Sequence, residues 1–302
     1  MSISPKNAGR KMTGISYDNG ASKLLKTSGK AFPNCKFFHA INEDTPLSSY
    51  SLEDLLPRTL MSTPITSAQH TDKMWVITAM LCRYLETFTD GVIIMKNEKP
   101  LGVLGGRETL ARILLNPTLG FFEEHTAGQV MTEHVNIISR KTTLSDLLLK
   151  MIRQRIGIAI VPYDRVGYAA ISIRIALEIA AQSKSDMRAS EMPKRDIVTF
   201  NREDRIQDVI TSMFQYQTRK LVLDDYSAYI SDRGILEKIA LGLNYLAYTP
   251  DFLDLKAGLF NLKQVRKIHD DLTIPTLAKI MLGMDVPYVM VQDQIISPWD
   301  IA

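Results

Sequence analysis

From about residue 52 onward one local pattern occurs four times along the 302-residue chain. An apolar run leads into a segment of helical period. A short β-rich run, a turn and a second apolar run follow, and a small residue then opens another helix. The second occurrence shows it best. There Val130-Met131-Thr132 and the run 135–139 lead to Thr142-Thr143, either of which suits a helix N-cap, and then to Leu144, Leu147, Leu148, Met151 and Ile152. The runs 158–161 and 168–171 flank a polar turn, and Ser172 precedes a second helix. The third and fourth occurrences repeat this around Ile206, Val209, Ile210, Met213 and around Ile274, Leu277, Ala278, Met281. The first is looser, with a helix expected through Trp75, Ile77, Ala79, Met80 and Leu81. The equivalent small residues are Gly105, Ser172, Ser231 and Ser297, at intervals of 67, 59 and 66.

A folding unit of about 60 residues buries only about 60% of its unfolded surface, so each copy needs a partner. Pairing neighbours face to face predicts two modules, 52–184 and 187–302, divided at the polar stretch 182–186. The units expected within them are 52–116 and 126–184, then 187–243 and 252–302. Apolar residues at 45% and charged residues at 23% leave ample material for such cores and exclude a mainly disordered chain. The two cysteines, Cys35 and Cys82, form no disulfide framework and suit a reducing compartment. The most apolar stretch, 168–181, is broken by Arg174 and Glu178, so no membrane span is expected. The N-terminus lacks a signal-peptide pattern, and a cytoplasmic location is the expectation. Residues 1–36 carry seven basic side chains against Asp18 alone, which leaves the rest of the chain at −3. Residues 1–50 therefore read as a flexible basic extension, with the positive character in this tail and not in the folded body.

The recurring unit resembles the cystathionine-β-synthase-type (CBS) domain, a β-α-β-β-α unit found in tandem pairs called Bateman modules. The resemblance rests on Val130-Met131-Thr132, on Lys141-Thr142-Thr143-Leu144 and on last strands that end in Ser, and it covers about 250 residues. It implies an α/β fold of four CBS units in two Bateman modules. It also implies a regulatory sensor, not an enzyme, with an adenine nucleotide or S-adenosylmethionine held in the cleft between paired units. No cofactor is then required and no catalytic residue is expected. The family's strand end reads Gly-apolar-apolar-Ser/Thr-x-x-Asp. A hydroxyl at a helix start stands where backbone N–H groups favour an anion, and a carboxylate three residues on can accept from a ribose diol.

Only the fourth copy keeps both groups, Ser297 and Asp300, and Ile268 on its first strand is expected to wall the purine. The second copy has Ser172 but Ile175, the third Ser231 but Gly234, and the first Gly105 with Glu108, so Ser172, Ser231 and Glu108 are weaker candidates. Arg219 and Lys220, just before a middle strand, are expected to reach across to a phosphate held at Ser297 and Asp300. Arg153 and Arg155 precede the middle strand of the second copy, and Asp285 in the fourth would repel phosphate. With the chain ending at Ala302, the last helix of the fourth copy is expected to be absent and this anion site weakened.

Other chemistries find little support. Gly102-Val103-Leu104-Gly105-Gly106 lacks the Gly-x-Gly-x-x-Gly spacing, the five histidines form no metal-ligand pattern, and no nucleophilic triad is identifiable. Two readings stand beside the sensor. Three copies without the Asp suit an interaction scaffold with degenerate sites, and the basic tail suits contact with nucleic acid. A protein effector or a second copy of the chain is the expected macromolecular partner.

Overall fold

Each repeat solves the same connection problem. A first strand that pairs parallel with the next cannot reach it by a tight turn, so a helix crosses between them. A hairpin then adds the third strand. The computed structural model describes residues 49–55, 65–83, 91–163, 167–242, 246, 252–269 and 271–302. The basic tail, and with it the nucleic-acid expectation, lies outside them.

A short helix, α1 (Leu52–Leu55), precedes the first copy. That copy comprises β1 (Ser67–Gln69), α2 (Met74–Arg83), β2 (Val92–Lys96), β3 (Lys99–Leu104) and α3 (Gly106–Leu115). Two connecting helices, α4 (Leu119–Glu124) and α5 (Ala127–Val130), follow. The second copy has α6 (Leu144–Gln154), β4 (Ile158–Tyr163), β5 (Gly167–Ser172) and α7 (Ile175–Gln182), its opening strand reduced to a parallel bridge between Ile137 and Ile160. The third has β6 (Thr199–Phe200), α8 (Ile206–Gln215), β7 (Lys220–Leu223), β8 (Ala228–Ser231) and α9 (Asp232–Ala240). After the strand β9 (Lys263–Gln264), the fourth has β10 (Arg266–Ile268), α10 (Ile274–Leu282), β11 (Val289–Val291), β12 (Gln294–Ile296) and α11 (Pro298–Ile301). In every copy the first two strands pair parallel and the last two antiparallel. The β2–β3 hairpin turns on Asn97 and Glu98, both at positive φ, which matches the twist of a two-residue loop.

The crossing helices share one apolar stripe at i, i+3, i+4 and i+7. It reads Met74, Ile77, Thr78, Leu81 in α2 and Leu144, Leu147, Leu148, Met151 in α6. In α8 it is Ile206, Val209, Ile210, Met213, and in α10 Ile274, Leu277, Ala278, Met281; all sixteen are buried. In α2 this corrects the sequence expectation. Trp75 is 47% exposed, and buried Thr78 takes the stripe position because its hydroxyl donates to the Met74 carbonyl at 2.8 Å. The last helix of the fourth copy is likewise present as the single turn α11.

The sheets pair as neighbours in sequence. Ile93, Met95 and Val103 of copy one meet Ile158 and Ile160 of copy two, and Val222 and Tyr229 of copy three meet Tyr288 and Met290 of copy four. The two large cores run the other way. One joins the helices of copies one and three, the second those of copies two and four. The long interfaces are α9 on α2 and α10 on α7. A core confined to each sequential pair is therefore only the smaller part of the packing.

The segments before each copy are exchanged within a pair. Leu52 N–H donates to the Thr142 carbonyl of copy two, while Ala127 and Gly128 donate to Asp72 and His70 of copy one. Ala189 donates to Leu272 of copy four, and Ala257 to Asp204 of copy three. Val130-Met131-Thr132, read from sequence as the start of copy two, belongs structurally to copy one: Val103 and Thr132 exchange backbone hydrogen bonds at 3.0 and 2.9 Å. Among the described residues, no helix is long and apolar enough to cross a membrane.

Candidate functional site

The last strand of each copy runs out at a small residue. At Gly105, Ser231 and Ser297 this residue is the N-cap of the following helix, and Ser172 stands two residues before the Arg174 N-cap. Gly105, Ser172, Ser231 and Ser297 thereby all border one cavity of about 710 Å3 between the four copies. Small-ligand sites typically span roughly 300–1,000 Å3. Two residues past each junction the register repeats again, and Arg107, Arg174, Arg233 and Trp299 border the same cavity. Arg155, Arg195, Arg219, Lys220 and Lys263 bring the wall to eight cationic side chains, against the three carboxylates of Glu108, Asp232 and Asp285. The folded body thus carries its own concentration of positive charge, contrary to the expectation that it belongs to the tail.

The sequence-expected residues take different places. Ser297 borders the cavity, but Asp300 turns back onto its own helix start. Its Oδ2 accepts from the Ser297 backbone N–H at 2.8 Å and from the Ser297 hydroxyl at 2.6 Å, and its Oδ1 lies 2.9 Å from Arg195 Nη1. The Asp300 side chain is 12% exposed and lies behind the cavity wall. Glu108 behaves similarly, its Oε2 accepting from Gly105 N–H at 2.9 Å, and Ser231 Oγ caps α9 by accepting from Gly234 N–H at 3.0 Å. Ser172 borders the cavity from the end of β5. Ile268 does not; it packs against the core of copies two and four.

Arg219 and Lys220 both border the cavity that Ser297 borders. Lys220 Nζ stands 4.8 Å above the centre of the Tyr288 ring, which packs on Tyr229 at 5.0 Å. Burial pushes the Tyr229 hydroxyl up to about 12, and burial, with Asp300 and Tyr229 nearby, raises that of Tyr288 further. Arg219 Nε donates to Asp232 Oδ2 at 2.8 Å. Burial of Asp232 favours its neutral form, but Arg219, Arg233 and Lys220 outweigh it and hold the carboxyl below the usual carboxylate range.

Arg107, Arg174, Arg195, Arg233, Lys263, Asp232 and Tyr288 were not singled out from sequence. A signal for three of them was present: aligning the junctions puts an arginine two residues on in Gly105-Gly106-Arg107, Ser172-Ile173-Arg174 and Ser231-Asp232-Arg233. Arg195 and Lys263 lie in connecting segments outside the repeat, where no register points to them.

Four β-α-β-β-α copies, paired through their sheets and meeting at one cavity, are the fold of CBS-domain proteins, and the chain has that fold. The solved structures similar to it include protein MJ1225 from Methanocaldococcus jannaschii, described as a proposed archaeal homolog of g-AMPK. The two share 14% identity at a TM-score of 0.68 over 81% of this chain and 97% of the other. Shorter likenesses include the CBS-domain containing protein ATU1752 from Agrobacterium tumefaciens (15% identity, TM-score 0.37, 43% of this chain and 93% of the other). The CBS domain of a bacterial CNNM/CorC family Mg2+ transporter in complex with ATP also matches (13%, 0.34, 45% and 91%). No family model matches the sequence, and no curated protein does.

Proposed function

We propose that the chain is a regulatory sensor, not a catalyst, that takes a phosphate-bearing adenosyl ligand into the central cavity. The observation that carries this is the convergence of all four strand–helix junctions and eight cationic side chains on one volume. Among adenosyl compounds the charge balance favours AMP, ADP or ATP over S-adenosylmethionine, whose sulfonium would enter against like charge. At an effective dielectric constant of 20, two like unit charges 4 Å apart repel by about 4 kcal/mol. Arg219 and Lys220 would meet the phosphate. Ser297 and Asp300 would meet the ribose once Asp300 exchanges its bonds to the helix start for the diol, and Ser231, Ser172 and Glu108 offer weaker junctions of the same kind. A ligand that prefers one arrangement of the copies shifts the population toward it and so alters the surface shown to a protein partner, an effector or a second copy.

The test is thermal stability with AMP, ADP, ATP and S-adenosylmethionine. At about 100 times its dissociation constant a ligand adds about 2.7 kcal/mol. The adenine nucleotides should raise the melting temperature and S-adenosylmethionine should not. The scaffold reading has its own support, since Asp300 and Glu108 both serve as helix caps. No shift with any adenosyl compound would favour it.

A further inference from the structure

We infer that Asp232 is a resident anion, seated by the chain itself where a ligand phosphate would bind, and that it sets how tightly the cavity takes phosphate. The inference rests on the phosphate-ligand reading above and deepens it.

Asp232 follows Ser231 directly, and its side chain is 6% exposed at the cavity wall. One oxygen accepts from Arg219 Nε at 2.8 Å, the other from the backbone N–H of Arg233 at 2.8 Å. The charges of Arg233 and Lys220 also act on it. On its far side stands the start of α3, contributed by copy one. A Cβ on Gly106 would lie 2.3 Å from Asp232 Oδ2, so the carboxylate keeps this seat only while residue 106 is glycine. The carboxylate is thus held between three cations of one copy and the first turn of a ten-residue helix of another, where the macrodipole also favours negative charge. These are the surroundings a phosphate seeks, already filled by a group that cannot leave.

The register shows that this is particular to one copy. The residue after the junction is Gly106, Ile173, Asp232 or Pro298, and only the third copy places an acid there. A phosphate that takes the Arg219 Nε–H must therefore take it from Asp232, and one that meets the other guanidinium nitrogens still shares the charge with that carboxylate. The same exchange loosens a contact that joins copies one and three.

The full chain is titrated calorimetrically with AMP and, separately, with inorganic pyrophosphate. Asp232→Asn should tighten both by about tenfold, the worth of a charge-assisted bond no longer contested. Gly106→Ala provides a second route, since its methyl group pushes the carboxylate off its seat without removing the charge, and it too should tighten binding. Arg219→Gln should weaken binding more in the Asp232→Asn background than in the native chain. Unchanged or weaker binding in the folded variants, with the native chain binding AMP, overturns the inference alone. Should Asp232→Asn fail to fold, Gly106→Ala decides. If neither AMP nor pyrophosphate binds the native chain or any variant, the nucleotide reading falls and takes this inference with it.

Discussion

The cross-pairing of cores makes a prediction that sequence order alone would not. Leu277 is fully buried in the middle of α10, in the core that copy four shares with copy two. Leu277→Ala removes its branched end and leaves a cavity that tightly packed helices close only in part. The expected loss is about 2–5 kcal/mol, part transfer free energy and part unfilled space. Because α10 lies on α7, the damage should reach Ile179 and Ala180 of copy two. Native-state hydrogen exchange read by mass spectrometry gives the opening free energy segment by segment. Amides of α7 should lose protection together with those of α10. Ile77→Ala in α2 is the mirror experiment and should be felt in α9 of copy three. If Leu277→Ala strips protection from the helices of copy three while α7 keeps its own, the cores join sequential neighbours and the argument is refuted.

Three further outcomes follow from single contacts. Gly102→Ala would place a methyl carbon 2.5 Å from the Thr132 carbonyl oxygen and 2.6 Å from the Met131 sulfur. The backbone cannot yield cheaply, so the urea midpoint should fall by the equivalent of about 1–3 kcal/mol. The Asp232 carboxyl is lowered in the folded chain, so its contribution is present above its unfolded pKa of about 3.9 and is lost as pH falls through and below that value. Urea titrations from pH 6 to 3 should show a flatter acid loss in Asp232→Asn than in the native chain. Tyr229 and Tyr288 have raised pKa values, so their contribution is complete below about 10 and is lost as pH climbs from there toward 12. Absorbance at 295 nm should show both ionising only as the chain unfolds in alkali; titration of both in the folded chain would refute this.

The copies and their register were legible because each crossing helix repeats the same four-residue stripe and each last strand ends in a small residue. Periodicity names the face a helix buries but not what covers it. The stripes of α2, α6, α8 and α10 are chemically alike, and nothing in Leu277 distinguishes copy two from copy three as its neighbour. Val130-Met131-Thr132 was placed with copy two because it precedes it, whereas a strand edge on Val103 decides the matter through backbone bonds that carry no side-chain signal. Thr78 gives no apolar signal at its stripe position; its hydroxyl is satisfied within its own helix. The cation cluster stayed hidden because its members stand tens of residues apart and assemble only when the junctions meet. Ser297 and Asp300 bond to each other as a helix cap here, and spacing does not reveal which way a carboxylate turns.

The swapped segments bear on how such a chain can change over time. Copy one is completed by residues that arrive after it, and copy two by residues that come before copy one. Excising a single repeat from the gene would strand one borrowed piece and leave its host with an open sheet edge. Loss or duplication in this architecture should therefore proceed in twos, and the smallest heritable module is the couple.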